Sequence, residues 1–203
     1  MLLTPDDLDQ FYQLHNTLMV FVNQRLQVIS DKVSTAQEYG DLAPQVRVKV
    51  RDALTENLSL IESFVAENPA RLTADELDIV RSWQHLLAGK FYILRDLKNY
   101  TVFLSTSSPA TAYGVVALFT PFEYMVGPYL PVLVQAVLLP FKNRIVYDGL
   151  ITSYNVTFGP GIRRNLNQDA KESKERNGIV TSLPLSALAP KVTKAKRVRK
   201  LPD

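Results

Sequence analysis

The chain has 203 residues, 46% of them apolar and 9% aromatic, and no cysteine. These values describe a globular chain with material for one core, and the missing cysteines exclude disulfides, cysteine nucleophiles and thiolate metal sites. A formal charge of +3 hides a split: residues 1–89 carry 7 Lys/Arg against 13 Asp/Glu, whereas residues 90–203 carry 16 against 7, so the halves should face different partners or each other.

The opening MLLTPDDLDQ has no basic region ahead of an apolar run, so no secretory signal is expected and the chain reads as unprocessed and cytoplasmic. Thr4 is placed to cap a helix whose first turn, Pro5-Asp6-Asp7, suits the positive end of the helix dipole. Phe11, Leu14, Leu18, Phe21, Val22, Leu26 and Ile29 then recur at helical spacing and carry this helix to about residue 34. A second helix is expected from Pro44 to Asn68-Pro69, with Val50, Leu54, Leu58, Ile61, Phe64 and Val65 on its apolar face. The third starts at the capping box Thr73-Ala74-Asp75-Glu76, buries Leu77, Val80, Trp83, Leu86 and Leu87, and is expected to close at Gly89 in a left-handed turn.

Beyond Gly89 the periodicity changes. KFYILRDLKNYTVFLS reads as a hairpin turning at Lys98-Asn99, STSSPAT as a loop, AYGVVALF as a strand and TPFEYMVGP as a short turn or helix. Asp148-Gly149 is a strong hairpin dipeptide. A turn there would leave only the short arm RIVY, whereas Lys142-Asn143 divides YLPVLVQAVLLPF from RIVYDGLI into balanced arms with Gly149 as a bulge. The uncharged window from Tyr124 to Phe141 reaches the length of a membrane span, but Pro128, Pro131, Pro140 and Gln135 favour a buried strand pair. Helical spacing returns at Ile162, Leu166 and Ala170, with Lys171–Glu175 and Glu172–Arg176 as i,i+4 pairs and Asn177-Gly178 as the stop; IVTSLPL is a last strand or extended segment. The expected architecture is α+β: a helical segment at 1–89 packed on a β-rich segment with one further helix at 90–188, sharing one core, and a disordered basic tail at 189–203.

The run LPFKNRIVYDGLI, followed by FGPGIRRNLN and AKESKERNGIVTSLP, resembles the C-terminal signature of a set of uncharacterised bacterial proteins. Their junction reads Gly-Gly-Gly where this chain has Gly159-Pro160-Gly161. LTPDDLDQFYQLHNTLMVFVNQRL and LTADELDIVRSWQHLLAGKFYILRDLKNYTVFL resemble the same set, so the likeness spans residues 1–185. It implies a shared fold and no particular activity, cofactor or partner.

Residues able to carry catalysis are scarce. The two histidines, His15 and His85, sit on predicted helices outside any metal-ligand spacing, and no Gly-x-Ser-x-Gly, Walker loop or Gly-x-Gly-x-x-Gly is present. No catalytic residue, metal or cofactor is nominated. Two candidate sites remain. Gly159 and Gly161 open a helix headed by Arg163 and Arg164, an arrangement suited either to an anion or simply to a tight strand-to-helix turn. The tail carries Lys191, Lys194, Lys196, Arg197, Arg199 and Lys200 with one acid, Asp203, and without it the chain is slightly acidic. Such a segment can neutralise nucleic-acid phosphates, and it lacks aromatics to stack bases. The expected function is a non-enzymatic interaction module of a nucleic-acid-associated complex, with a protein partner or self-association for the body. The alternative is an enzyme or binder of a phosphorylated or otherwise anionic small molecule at Gly159–Arg164.

Overall fold

The structure, a computed structural model, describes residues 1–30 and 32–184. Helix α1 runs Pro5–Leu26, with the Thr4 hydroxyl accepting from the Asp7 amide at 3.3 Å. It stops eight residues short of expectation. Gln27 turns left-handed at φ 51, and the buried Asn23 carboxamide accepts from the Ile29 amide at 3.0 Å, which fastens the departing chain to the last turn. A short helix α2, Ala36–Gly40, follows on a Thr35/Glu38 capping box that the apolar stripe does not announce.

The expected helix 44–68 divides into α3, Pro44–Glu56, and α4, Ser59–Glu67. Asn57 breaks it: its side chain donates to the Ala53 carbonyl at 2.9 Å while its φ of −133 leaves the helical region. The Thr73/Glu76 capping box forms and starts α5, Ala74–Ser82. A 3-10 turn over Trp83–His85 then ends the helix, so Gly89 lies inside a strand and closes nothing. The reason is tertiary: residues 87–93 pair with 132–138 of a distant strand, and the Trp83 indole N–H donates to the Pro140 carbonyl at 2.9 Å.

Six strands follow: β1 Leu87–Asp96, β2 Thr101–Ser105, β3 Ala112–Val116, β4 Val132–Phe141, β5 Arg144–Tyr147 and β6 Thr152–Ser153. A short helix α6, Phe122–Val126, links β3 to β4. The β4–β5 turn falls at Lys142-Asn143, both at positive φ (46 and 60). Gly149, at φ 85, lies past the end of β5 and is a turn rather than a bulge, with the Asp148 carboxylate accepting from the Leu150 amide at 3.1 Å.

The pairing order is β1-β2-β3-β5-β4, and β4 also pairs with β1, so five strands close into a ring with β6 added beside β4. Every contact is antiparallel except β3 with β5, where Val115 faces Ile145. A register irregularity between Ile93 and Arg95 lets the long β1 serve both neighbours. Inside, rings contact in series: Phe91 with Phe103 and Tyr113, then Phe103 with Phe122 of α6, then Phe122 with Tyr147. Each such buried aromatic contributes about 2–3 kcal/mol by area alone.

Two layers wrap the ring. The N-terminal helices cover one end of β4, where Phe11 meets Phe141 and Trp83 edge-on at 5.5 and 5.9 Å, and one apolar cluster runs from these helices into the barrel. Helix α7, Pro160–Asn177, covers the outer face of β1–β3. Leu166 and Ala170 pack on Val102, Leu104 and Ala112, and the Ser173 hydroxyl accepts from the Ala112 amide at 2.8 Å. Arg176 of α7 donates to the Ala110 carbonyl rather than pairing with Glu172, and the predicted last strand reduces to a bridge of Val180 to Tyr113. No helix among the described residues is long and apolar enough to cross a membrane.

Candidate functional site

The Gly159–Arg164 junction is solvent-exposed. Gly159 caps α7 with φ −69 and ψ 168, ordinary extended backbone, and a Cβ on Gly159 or Gly161 would meet nothing within 4 Å. The turn therefore does not require glycine for sterics. The two arginines do not converge, because successive helical residues point about 100° apart. The Arg163 Nε donates to the Phe158 carbonyl at 2.9 Å, which holds the guanidinium against the incoming chain. Lys191, Lys194, Lys196, Arg197, Arg199 and Lys200 lie outside the described residues.

What Arg163 does join is a surface groove of about 360 Å³ that also contains Tyr129, Tyr154 and Phe158. Tyr129 is 83% exposed. The Lys90 ammonium stands 5.0 Å over the Tyr154 ring. Strand register explains the grouping: Lys90 faces Gln135, Gln135 faces Thr152, and the Tyr154 amide continues the ladder to the Leu133 carbonyl at 2.9 Å. Residues two apart share a sheet face, so Lys90, Gln135, Thr152, Leu133 and Tyr154 form one outer surface, which α7 borders through Arg163. Alternating tyrosine with cations on an open sheet offers ring faces for stacking and charge for phosphate. Sequence periodicity cannot show this group, because β6 has only two residues and its register is set by β4.

A second polar centre is buried where α1 and α3 meet the end of β5. Asp148 is 2% exposed and accepts from the Arg51 guanidinium at 3.2 Å, while Arg51, itself 5% exposed, also donates to Asp52 at 2.6 Å. Burial pushes Asp148 up to about 6 against the opposing pull of Arg51. His15, stacked on Phe11 at 5.5 Å, is pushed down to about 4 by burial, with Arg47 and Arg51 nearby adding to the effect. Burial likewise raises the Tyr39 and Tyr147 phenols. The void among these residues is about 10 Å³, the lower limit for one water, so no substrate reaches His15 or Asp148. The centre is structural, and its sequence signal was present. His15 shares the helical face of Phe11 and Leu18, and Arg51 precedes Leu54 and Leu58 by three and seven residues.

His85 is exposed on the 3-10 turn. Among the described residues, no group of three or more His, Asp or Glu side chains is arranged to hold a metal ion. No family model, no curated protein and no solved structure matches the chain.

Proposed function

We propose that the protein is a non-enzymatic interaction module that binds single-stranded nucleic acid, with its basic tail supplying additional phosphate contacts. The observation that carries this reading is the open β1–β4–β6 surface, where Tyr154 lies under Lys90 and shares a groove with Arg163 and the exposed Tyr129. Barrels with this connectivity recur among oligonucleotide- and oligosaccharide-binding modules. Connectivity alone does not set function. In this chain α7 covers the β2–β3 face, which leaves the β4–β6 side as the surface a strand can approach. The surface is favoured over a compact phosphate site at Gly159–Arg164, since Arg163 is tied to Phe158 and Arg164 diverges from it.

The test is fluorescence anisotropy of labelled single-stranded and duplex oligonucleotides across a salt series. Stacking on one ring is worth about 1–3 kcal/mol, so Tyr154→Ala should weaken single-strand binding roughly 5- to 100-fold with little change in salt dependence. Deleting residues 190–203 should instead flatten the salt slope by removing phosphate contacts. Absence of binding at low salt, or equal binding by Tyr154→Ala, rejects the proposal.

A further inference from the structure

A second groove, of about 640 Å³, opens between the start of α3 and the segment that follows β5. It touches the first groove only at Val126 and Ser153. Its apolar surface comes from Val48, Met125, Leu150 and Ile151, and its polar surface from Gln45 and Arg47. The volume is that of a small-molecule pocket.

Arg47 is the unusual member. Its guanidinium forms no ion pair or hydrogen bond among the described residues, and its Nε is buried with no partner. Asp148, which follows Tyr147 of this groove in the chain, is already engaged by Arg51. Tyr39 cannot help: its hydroxyl donates to the Arg47 carbonyl at 3.2 Å, and burial keeps the phenol neutral. A half-buried, unpaired cation costs stability that a folded chain ordinarily recovers with a partner. The start of α3 adds to the imbalance, since this 13-residue helix has no side-chain cap and no acidic residue in its first turn, leaving the positive end of its dipole uncompensated beside Arg47.

We propose that this groove binds a small organic oxyanion, a carboxylate or phosphate monoester carrying an apolar chain or ring, whose anionic head pairs with Arg47 and whose apolar part lies on Met125, Leu150 and Ile151. The head supplies the charge that the protein omits. The two components are separable, because an oxyanion without an apolar group gains only the first contact and a neutral molecule only the second.

Isothermal titration of the full chain with hexanoate and phenyl phosphate tests the proposal, with acetate and inorganic phosphate as heads alone and hexanol and phenol as bodies alone. The expected result is saturable binding of at least one of hexanoate and phenyl phosphate, at least tenfold tighter than either of its components, and a tenfold or greater loss in Arg47→Met. Which of the two binds distinguishes a carboxylate from a phosphate ligand. Arg47→Met without ligand should melt no lower than the parent, since it removes an unpaired cation. In the unaltered protein the Arg47 Nε–H resonance should shift on adding the tighter probe. The proposal is overturned by any of four results: no saturable binding of either tailed anion, hexanol or phenol binding as tightly as its anion, unchanged affinity in Arg47→Met, or an unmoved Arg47 resonance. None of these readouts involves nucleic acid, so they succeed or fail apart from the single-strand proposal.

Discussion

Replacing His15 by leucine should make this fold more stable in mild acid, where the parent is nearly indifferent to pH. As pH falls through 6.5 the unfolded chain protonates this imidazole, whereas the folded protein holds it neutral down to about 4. Stability is therefore lost with acid, by about 3 kcal/mol once pH reaches 4. Asp148 does the opposite. The folded state keeps its carboxyl protonated up to about 6, while the unfolded chain takes up that proton only near 3.8. Acid thus favours the folded form, by about 2 kcal/mol over the same interval. The two effects offset each other between pH 6 and 4, and the parent protein should show a nearly flat stability there.

The substitutions separate the effects. In His15→Leu only the Asp148 contribution remains, so stability should rise by about 2 kcal/mol from pH 6.5 to 4.5; in Asp148→Asn it should fall by about 2 kcal/mol. Asp7, lowered chiefly by Lys142, and Glu38, lowered by the Ser34 and Thr35 amides, lose stability at still lower pH and do so equally in all three proteins. Urea unfolding followed by far-ultraviolet dichroism and by the fluorescence of Trp83, the only tryptophan, measures each slope. Three parallel stability curves would refute the reasoning, because they would mean that neither group exchanges protons differently in the two states.

Two further outcomes check the packing. Gly114→Ala should destabilise by about 1–3 kcal/mol in thermal unfolding, since the added Cβ would sit 2.8–3.0 Å from the Tyr100 ring in the sealed β2–β3 layer. Thr73→Ala should cost about 1 kcal/mol in urea unfolding through loss of the α5 cap, with the spectrum of the folded state unchanged.

Local chemistry made much of the chain legible. The Thr73 capping box, the Lys142-Asn143 turn and the stop at Gly178 each depend on residues close in sequence, and each forms. Features set by distant partners were not legible. Gly89 looks like a helix terminator until β4 claims residues 87–93, and α1 ends early because Asn23, a polar residue within an apolar stripe, captures the Ile29 amide. The closed ring needs the parallel β3–β5 contact, two residue pairs long and about 30 residues apart in sequence, and no periodicity encodes it. At the candidate sites the sequence grouped Arg163 with Gly159, Gly161 and Arg164 as an anion-binding junction, whereas in the structure Arg163 lines a groove with Tyr154. Arg164 is adjacent along the chain, whereas Tyr154 and Lys90 are adjacent in space only through strand register. Arg47 gave no signal, because being unpaired is a property of its surroundings.

The placement of both grooves follows from how the barrel is wrapped. Trp83 and Phe11 seal one end of β4, α7 seals the outer face of β1–β3, and Phe122 plugs the interior from α6. These three contacts use apolar surface that would otherwise be available to a ligand. The stretch left open is the one served by β6, a strand too short to carry a covering helix, and the chain beyond it runs extended to Phe158 before α7 begins. Three cations that pair with no carboxylate among the described residues border this opening: Lys90 over the Tyr154 ring, Arg163 in the groove that Tyr154 lines, and Arg47 in the second groove. By contrast Lys142 and Arg144, at the sealed end, are both satisfied by Asp7. With no carboxylate to neutralise them, these three cations add attraction for anions at the opening, which is where Tyr154→Ala and Arg47→Met probe it from either side.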